Sequence, residues 1–168
     1  ALKMLESDGF IEIIPQSGCK VIDYSKKDVI DQLLLSSALE SLCAELAALN
    51  RSEEEIESLK FFHQAATGNP KKMEDKFNFF HYNRKFHYHI FSMTHSAKIM
   101  NAALQMGDMN DFYLMNLFEE YQFDNMKSLE YHELILEHIE KKDPKSAAKT
   151  MQEHMKYYMD RLQEQLPM

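Results

Sequence analysis

Ser25-Lys26-Lys27-Asp28-Val29-Ile30-Asp31-Gln32-Leu33-Leu34-Leu35-Ser36-Ser37-Ala38-Leu39-Glu40 opens the stretch that decides the fold class. Ser25 can cap a helix, and Asp28, three residues on, stands in the capping-box position. Val29, Ile30, Leu33, Leu34, Ala38, Leu42 and Leu46 then recur at helical spacing, so a helix is predicted over 25 to about 49. Ser52 with Glu55 repeats the start signal, Ile56, Leu59 and Phe62 supply the stripe, and Gly68 is placed to close a second helix. Asn69 and Pro70 open a third, with Met73, Phe77, Phe80, Ile90 and Phe91 on its apolar face and an end near Thr94.

Two shorter helices are expected over 96–107 and 112–121, and two long ones over 125–141 and 144–165. The long pair is joined tightly at Asp143-Pro144, a cap followed by a first-turn proline. Upstream, Ala1-Leu2-Lys3-Met4-Leu5-Glu6 is a helical fragment stopped by Ser7-Asp8-Gly9. Phe10-Ile11-Glu12-Ile13-Ile14 and Cys19-Lys20-Val21-Ile22 flank Pro15-Gln16-Ser17-Gly18, the pattern of a β-hairpin. The expected fold is mainly α: an antiparallel bundle of six or seven helices over 25–168, preceded by a separate hairpin unit over 1–24.

Composition agrees. The 168 residues are 45% hydrophobic, enough for one good core, and contain only four glycines and four prolines against 12 methionines and 11 phenylalanines. Cys19 and Cys43 are far apart with no metal-ligand spacing, so neither a disulfide framework nor a cysteine zinc site is expected, and a reducing cytoplasm fits. No uninterrupted apolar run approaches the roughly 20 residues of a membrane span, so no membrane partner is expected. The net charge of -8 argues against this segment gripping a phosphate backbone by itself. Ala1 stands in mid-pattern, and a preceding segment is expected.

The eight histidines divide by their place on the helices. Asn83 and His87 are four apart on the third helix, between Phe80 and Ile90-Phe91, and so face the core. His132 lies in a stripe with Leu129, Leu136 and Ile139, and His154 in one with Ala147, Met151, Tyr158 and Leu162. The two stand at equal distances either side of Asp143, and an antiparallel hairpin brings them to one depth. Three inward imidazoles and one amide oxygen could gather round a divalent ion; equally, each could be a core histidine satisfied by ordinary partners. His63, His81, His89, His95 and His138 gain no such support.

Enzyme patterns are missing: no ExxH precedes any histidine, Leu136 stands where a zinc-protease helix needs its second histidine, and there is neither a glycine-rich phosphate loop nor a GxSxG elbow. A non-enzymatic function is expected. The alternatives are a metal-dependent enzyme using the histidine cluster, or a helical interaction module in which the histidines are structural.

Taken in order, Ala1 to Val21 resembles the end of the recognition helix and the wing of GntR-type transcriptional regulators. Ser25 to Ala48, with Leu39-Glu40 and Ala47-Ala48, resembles the first helix of the FCD ligand-binding domain that follows this wing in the FadR-type branch. The resemblance implies a homodimeric, cytoplasmic regulator that binds operator DNA through its complete N-terminal domain, with Lys3, Gln16, Ser17, Gly18 and Lys20 facing DNA. It also implies a divalent metal (zinc, nickel or manganese) at Asn83, His87, His132 and His154, and a small carboxylate effector. Two positions depart from the family pattern: Asn83 stands where an aspartate is usual, and Ser36 where an arginine is common, so no carboxylate clamp carries over.

Overall fold

A computed structural model describes residues 1–117 and 124–164. After a short α1 (Leu2–Ser7), β1 (Ile11–Ile14) and β2 (Gly18–Val21) pair antiparallel, with Ile11 opposite Val21 and Ile14 opposite Gly18. Ser17 N–H donates to Ile14 O (3.0 Å) to close the turn, and Gln16 takes a positive φ of 62° there, a conformation that costs a side-chain residue more than it costs glycine. Phe10 packs edge-on against Phe112 (5.4 Å), which seats the hairpin on the bundle. Gly9, at φ 84°, lies so close that a Cβ would come within 3.3 Å of Met109.

The bundle consists of α2 (Lys26–Asn50), α3 (Glu53–Thr67), α4 (Pro70–Glu74), α5 (Lys76–Ser92), α6 (Ala97–Leu117), α7 (Asn125–Glu140) and α8 (Pro144–Glu164). Both expected capping boxes form, Ser25 with Asp28 and Ser52 with Glu55. Asn69 caps α4 with Pro70 in its first turn. The spine is α2, packed along α8 and α6. Its buried face includes Ala44, Ala47 and Ala48, small enough to bring the helices close. By length and composition α2 could cross a bilayer, although charged residues interrupt its apolar run. Here it serves as a core helix with Glu40 on its buried face. At its C-terminal end the buried Arg51 donates to Glu140 O (2.6 Å) and to Ile139 O (3.4 Å), which also accepts from Lys142 N–H (3.1 Å), and so ties α2 to the carbonyl end of α7.

Three expectations are corrected. The third helix is two: Asp75 leaves helical geometry (ψ 124°) and its side chain accepts from Asn78 N–H, capping α5 afresh. That break rotates the stripe, so Phe79 is buried while Phe77 is 62% exposed. The two short helices, 96–107 and 112–121, are one continuous α6 through Gly107, whose helical backbone tolerates the missing side chain at a cost of about 1 kcal/mol against alanine. Positions 118–121 of that expectation, and 165 of the last helix, lie outside the described residues.

Candidate metal centre

Three helices bring His87 (α5), His132 (α7) and His154 (α8) together in the interior, exposed by 7%, 0% and 1%. One ring nitrogen from each lies within 4.8 Å of the others. His132 Nε2 and His154 Nε2 are 3.2 Å apart. Two imidazole nitrogens bound to one ion at about 2.1 Å each are separated by roughly 3.0–3.4 Å for tetrahedral to octahedral angles. The spacing therefore fits a shared cation without movement of either helix.

The outer shell of His132 fits as well. Glu133 Oε2 is 2.7 Å from His63 Nε2, His63 Nδ1 is 2.6 Å from the Tyr82 hydroxyl, and that hydroxyl is 3.0 Å from His132 Nδ1. Tyr82 has one proton to give. Burial pushes its phenol well up, so the proton stays. If His132 Nδ1 donates to Tyr82, Tyr82 donates to His63 Nδ1, and His63 Nε2–H donates to the Glu133 carboxylate. His132 Nε2 is then left without a proton, as a lone pair that can accept from His154 Nε2–H or bind a cation. On His87 a carboxylate acts directly, with Glu40 Oε2 2.6 Å from Nδ1, which leaves Nε2 as its ligating atom. His154 Nδ1 is buried with no hydrogen-bond partner.

Phe86, 0% exposed, lies flat on His132 (4.1 Å, 14°) and edge-on to His87 (5.8 Å). Asn83 stands on α5 one turn before His87. It lines the adjoining cavity of about 50 Å³ together with His87 and His154, and its Oδ1 is buried without a partner. An unsatisfied amide oxygen beside such a cavity can give a lone pair to a cation or accept a hydrogen bond from a ligand. Imidazole and amide oxygen suit zinc and nickel, and a site with no sulfur accepts manganese too. Among the other histidines, His95 pairs with Glu55 at the surface (2.9 Å).

Sequence reading missed His63 and Glu40. Both signals were there: His63 is seven after Ile56 and four after Leu59, and Glu40 is seven after Leu33, each on a buried face. What spacing could not show is that Tyr82 bridges His63 to His132 across three helices.

Burial holds His132 and His154 well below the ordinary histidine value of 6.5, with neighbouring imidazoles adding to the shift. The unfolded chain takes up these protons and the folded chain refuses them, so stability falls as pH drops below 6.5. Asp111 shows the opposite sign. Burial pushes its carboxyl from 3.8 up to about 6 against the pull of Arg84, so it weakens the fold as pH rises through that window. Asp111→Asn is therefore expected to raise stability at pH 7.5 by about 1–3 kcal/mol, an advantage that disappears near pH 4. Urea unfolding at the two pH values measures it, and a loss at pH 7.5 would contradict the assignment.

The FCD domain profile matches residues 33–157. An HTH-type transcriptional regulator of Bacillus subtilis, YdhC, is 24% identical over 164 residues, 96% of this chain and 72% of its own. McbR/YncC of E. coli superimposes with a TM-score of 0.83 at 18% identity, over 98% of this chain and 77% of that one. A GntR protein of Streptococcus agalactiae gives 0.67 at 16%, over 95% and 78%. The chain belongs to the FCD-domain family, in the FadR-type branch of GntR transcriptional regulators.

Proposed function

We propose that this regulator senses a small organic acid at a divalent metal held by His87, His132 and His154, with Asn83 completing the set. The observation that carries the reading is the 3.2 Å approach of two buried Nε2 atoms, with Tyr82 on His132 Nδ1 so that the proton sits there and Nε2 keeps its lone pair. A bound ion would offer open coordination positions to a carboxylate oxygen. Residues 1–24 are taken as the end of a winged-helix DNA-binding domain and 25–168 as the effector-binding and dimerising domain. Lys3, Gln16, Ser17, Gly18 and Lys20 are all exposed on α1 and the hairpin, where they are placed to meet operator DNA once the winged helix is complete. Leu35, Leu42 and Leu49, spaced by sevens on the outer face of α2, are 63%, 40% and 56% exposed, a stripe suited to a second copy of the chain.

Helix α6 supports a route between the two units. Asp108 and Asp111 line the cavity, while Gln105 reaches Asp8 Oδ1 (3.3 Å) and Phe112 packs on Phe10 (5.4 Å). An effector with different affinity for two placements of α6 would bias the hairpin's position and so operator binding. The regulator is expected to work in the cytoplasm.

Elemental analysis of the purified chain beside His132→Ala and His154→Ala tests the site. About one divalent ion per chain, lost in both variants, is expected. Equal, negligible metal in all three would leave the histidines structural.

A further inference from the structure

The cavity beside the histidines has a largely apolar wall, with Phe91, Leu104, Leu114 and Met155, and most of the polar groups set into it accept hydrogen bonds or carry negative charge. Glu40, 3% exposed, Asp108 and Asp111 line it, and the partnerless Oδ1 of Asn83 is buried there as well. The cation among the lining residues is Arg84, and it is already bonded to both aspartates, with Nη1 3.2 Å from Asp111 Oδ2. Ser36, buried nearby on α2, is engaged with Asn110 Oδ1 (3.0 Å) and brings no charge. A ligand with a second carboxylate would place it among three others in a partly desolvated space, where like charges repel strongly. A protonated amine meets the opposite situation: two or three acceptors and uncompensated negative charge.

We infer that the effector is an amino-acid-type zwitterion, its ammonium group among Asp111, Glu40 and Asn83 Oδ1. Its carboxylate faces the histidines, and this half of the assignment rests on the metal reading above. The ammonium can donate three hydrogen bonds, one to each of these oxygens. A hydroxyl in the same place donates one and leaves the negative charge unmatched. A second carboxylate donates none. The wall therefore discriminates by the group on the carbon next to the carboxylate.

Alanine and lactate differ at that group alone, malonate carries a second carboxylate there and no methyl, and the three serve as probes. Each is titrated calorimetrically into the zinc-treated chain and into Asp111→Asn, with zinc content read on every sample first. Alanine is expected to bind at least tenfold more tightly than lactate or malonate. The variant, expected to fold at least as stably at neutral pH, should reduce that preference to less than threefold. Lactate or malonate binding as well as alanine, alanine failing to bind the zinc-loaded chain, or an unchanged preference in the variant would each overturn the assignment. If the chain takes up no zinc yet alanine and ethylamine both bind and both lose affinity in Asp111→Asn, the amine site stands and the metal reading falls.

Discussion

Phe86→Ala is expected to cost about 3–5 kcal/mol of folding stability, a large share of what a domain of this size has. Phe86 is fully buried, and its ring supports four others: His132 face to face, and His63, Tyr82 and His87 at ring-centre distances of 5.7, 6.0 and 5.8 Å. His63, Tyr82 and His132 are hydrogen-bonded in a chain, and Glu133 and Glu40 pair with His63 and His87, so these rings cannot collapse into the space without breaking those contacts. The cavity stays open, and the full cavity cost applies. Phe61→Ala is the control: that ring is 76% exposed, and its loss should change stability by less than about 0.5 kcal/mol. Urea unfolding of both variants measures the contrast, and a Phe86→Ala loss below about 1 kcal/mol would mean the histidine shell repacks freely.

Zinc at a thousandfold excess over its dissociation constant is expected to stabilise the chain by about 4 kcal/mol, because an ion bound only by the folded state draws the equilibrium toward it. In a protein of this length that corresponds to a rise in melting temperature of roughly 10 °C. His132→Ala and His154→Ala should remove nearly all of the rise, since each deletes one of three ligands from a site the unfolded chain does not possess. The baseline stability should fall below pH 6.5, where the unfolded chain takes up protons, whereas the zinc increment should weaken only well below that pH, where protons reach the depressed imidazoles of the folded chain.

Much of this architecture is legible in local sequence. The capping residues at Ser25, Ser52, Asn69 and Asp143 mark helix starts because their side chains satisfy backbone donors within three residues, a wholly local transaction. Equal spacing of His132 and His154 from the Asp143 turn places them at one depth for the same reason, since helical rise is fixed. The break at Asp75 was hidden because Lys71 to Phe80 contains no glycine or proline to mark it. Nothing in the chain distinguishes an aspartate that re-caps a helix from one that decorates it until tertiary packing turns Phe79 inward. The chain from Glu133 through His63 and Tyr82 to His132 was out of reach for a related reason: it joins α7, α3 and α5, and its links are fixed by how those helices dock rather than by any repeat. The sign of charge around the cavity likewise emerges only when α2, α5 and α6 bring Glu40, Arg84, Asp108 and Asp111 to one wall.

The central claim is that His87, His132 and His154 act together as one metal site, and a zinc titration followed by thermal unfolding tests it most directly. The melting temperature should climb with the logarithm of zinc concentration in the unaltered chain and stay flat in His132→Ala and in His154→Ala. An equal rise in all three proteins, or none in the unaltered chain, would contradict it.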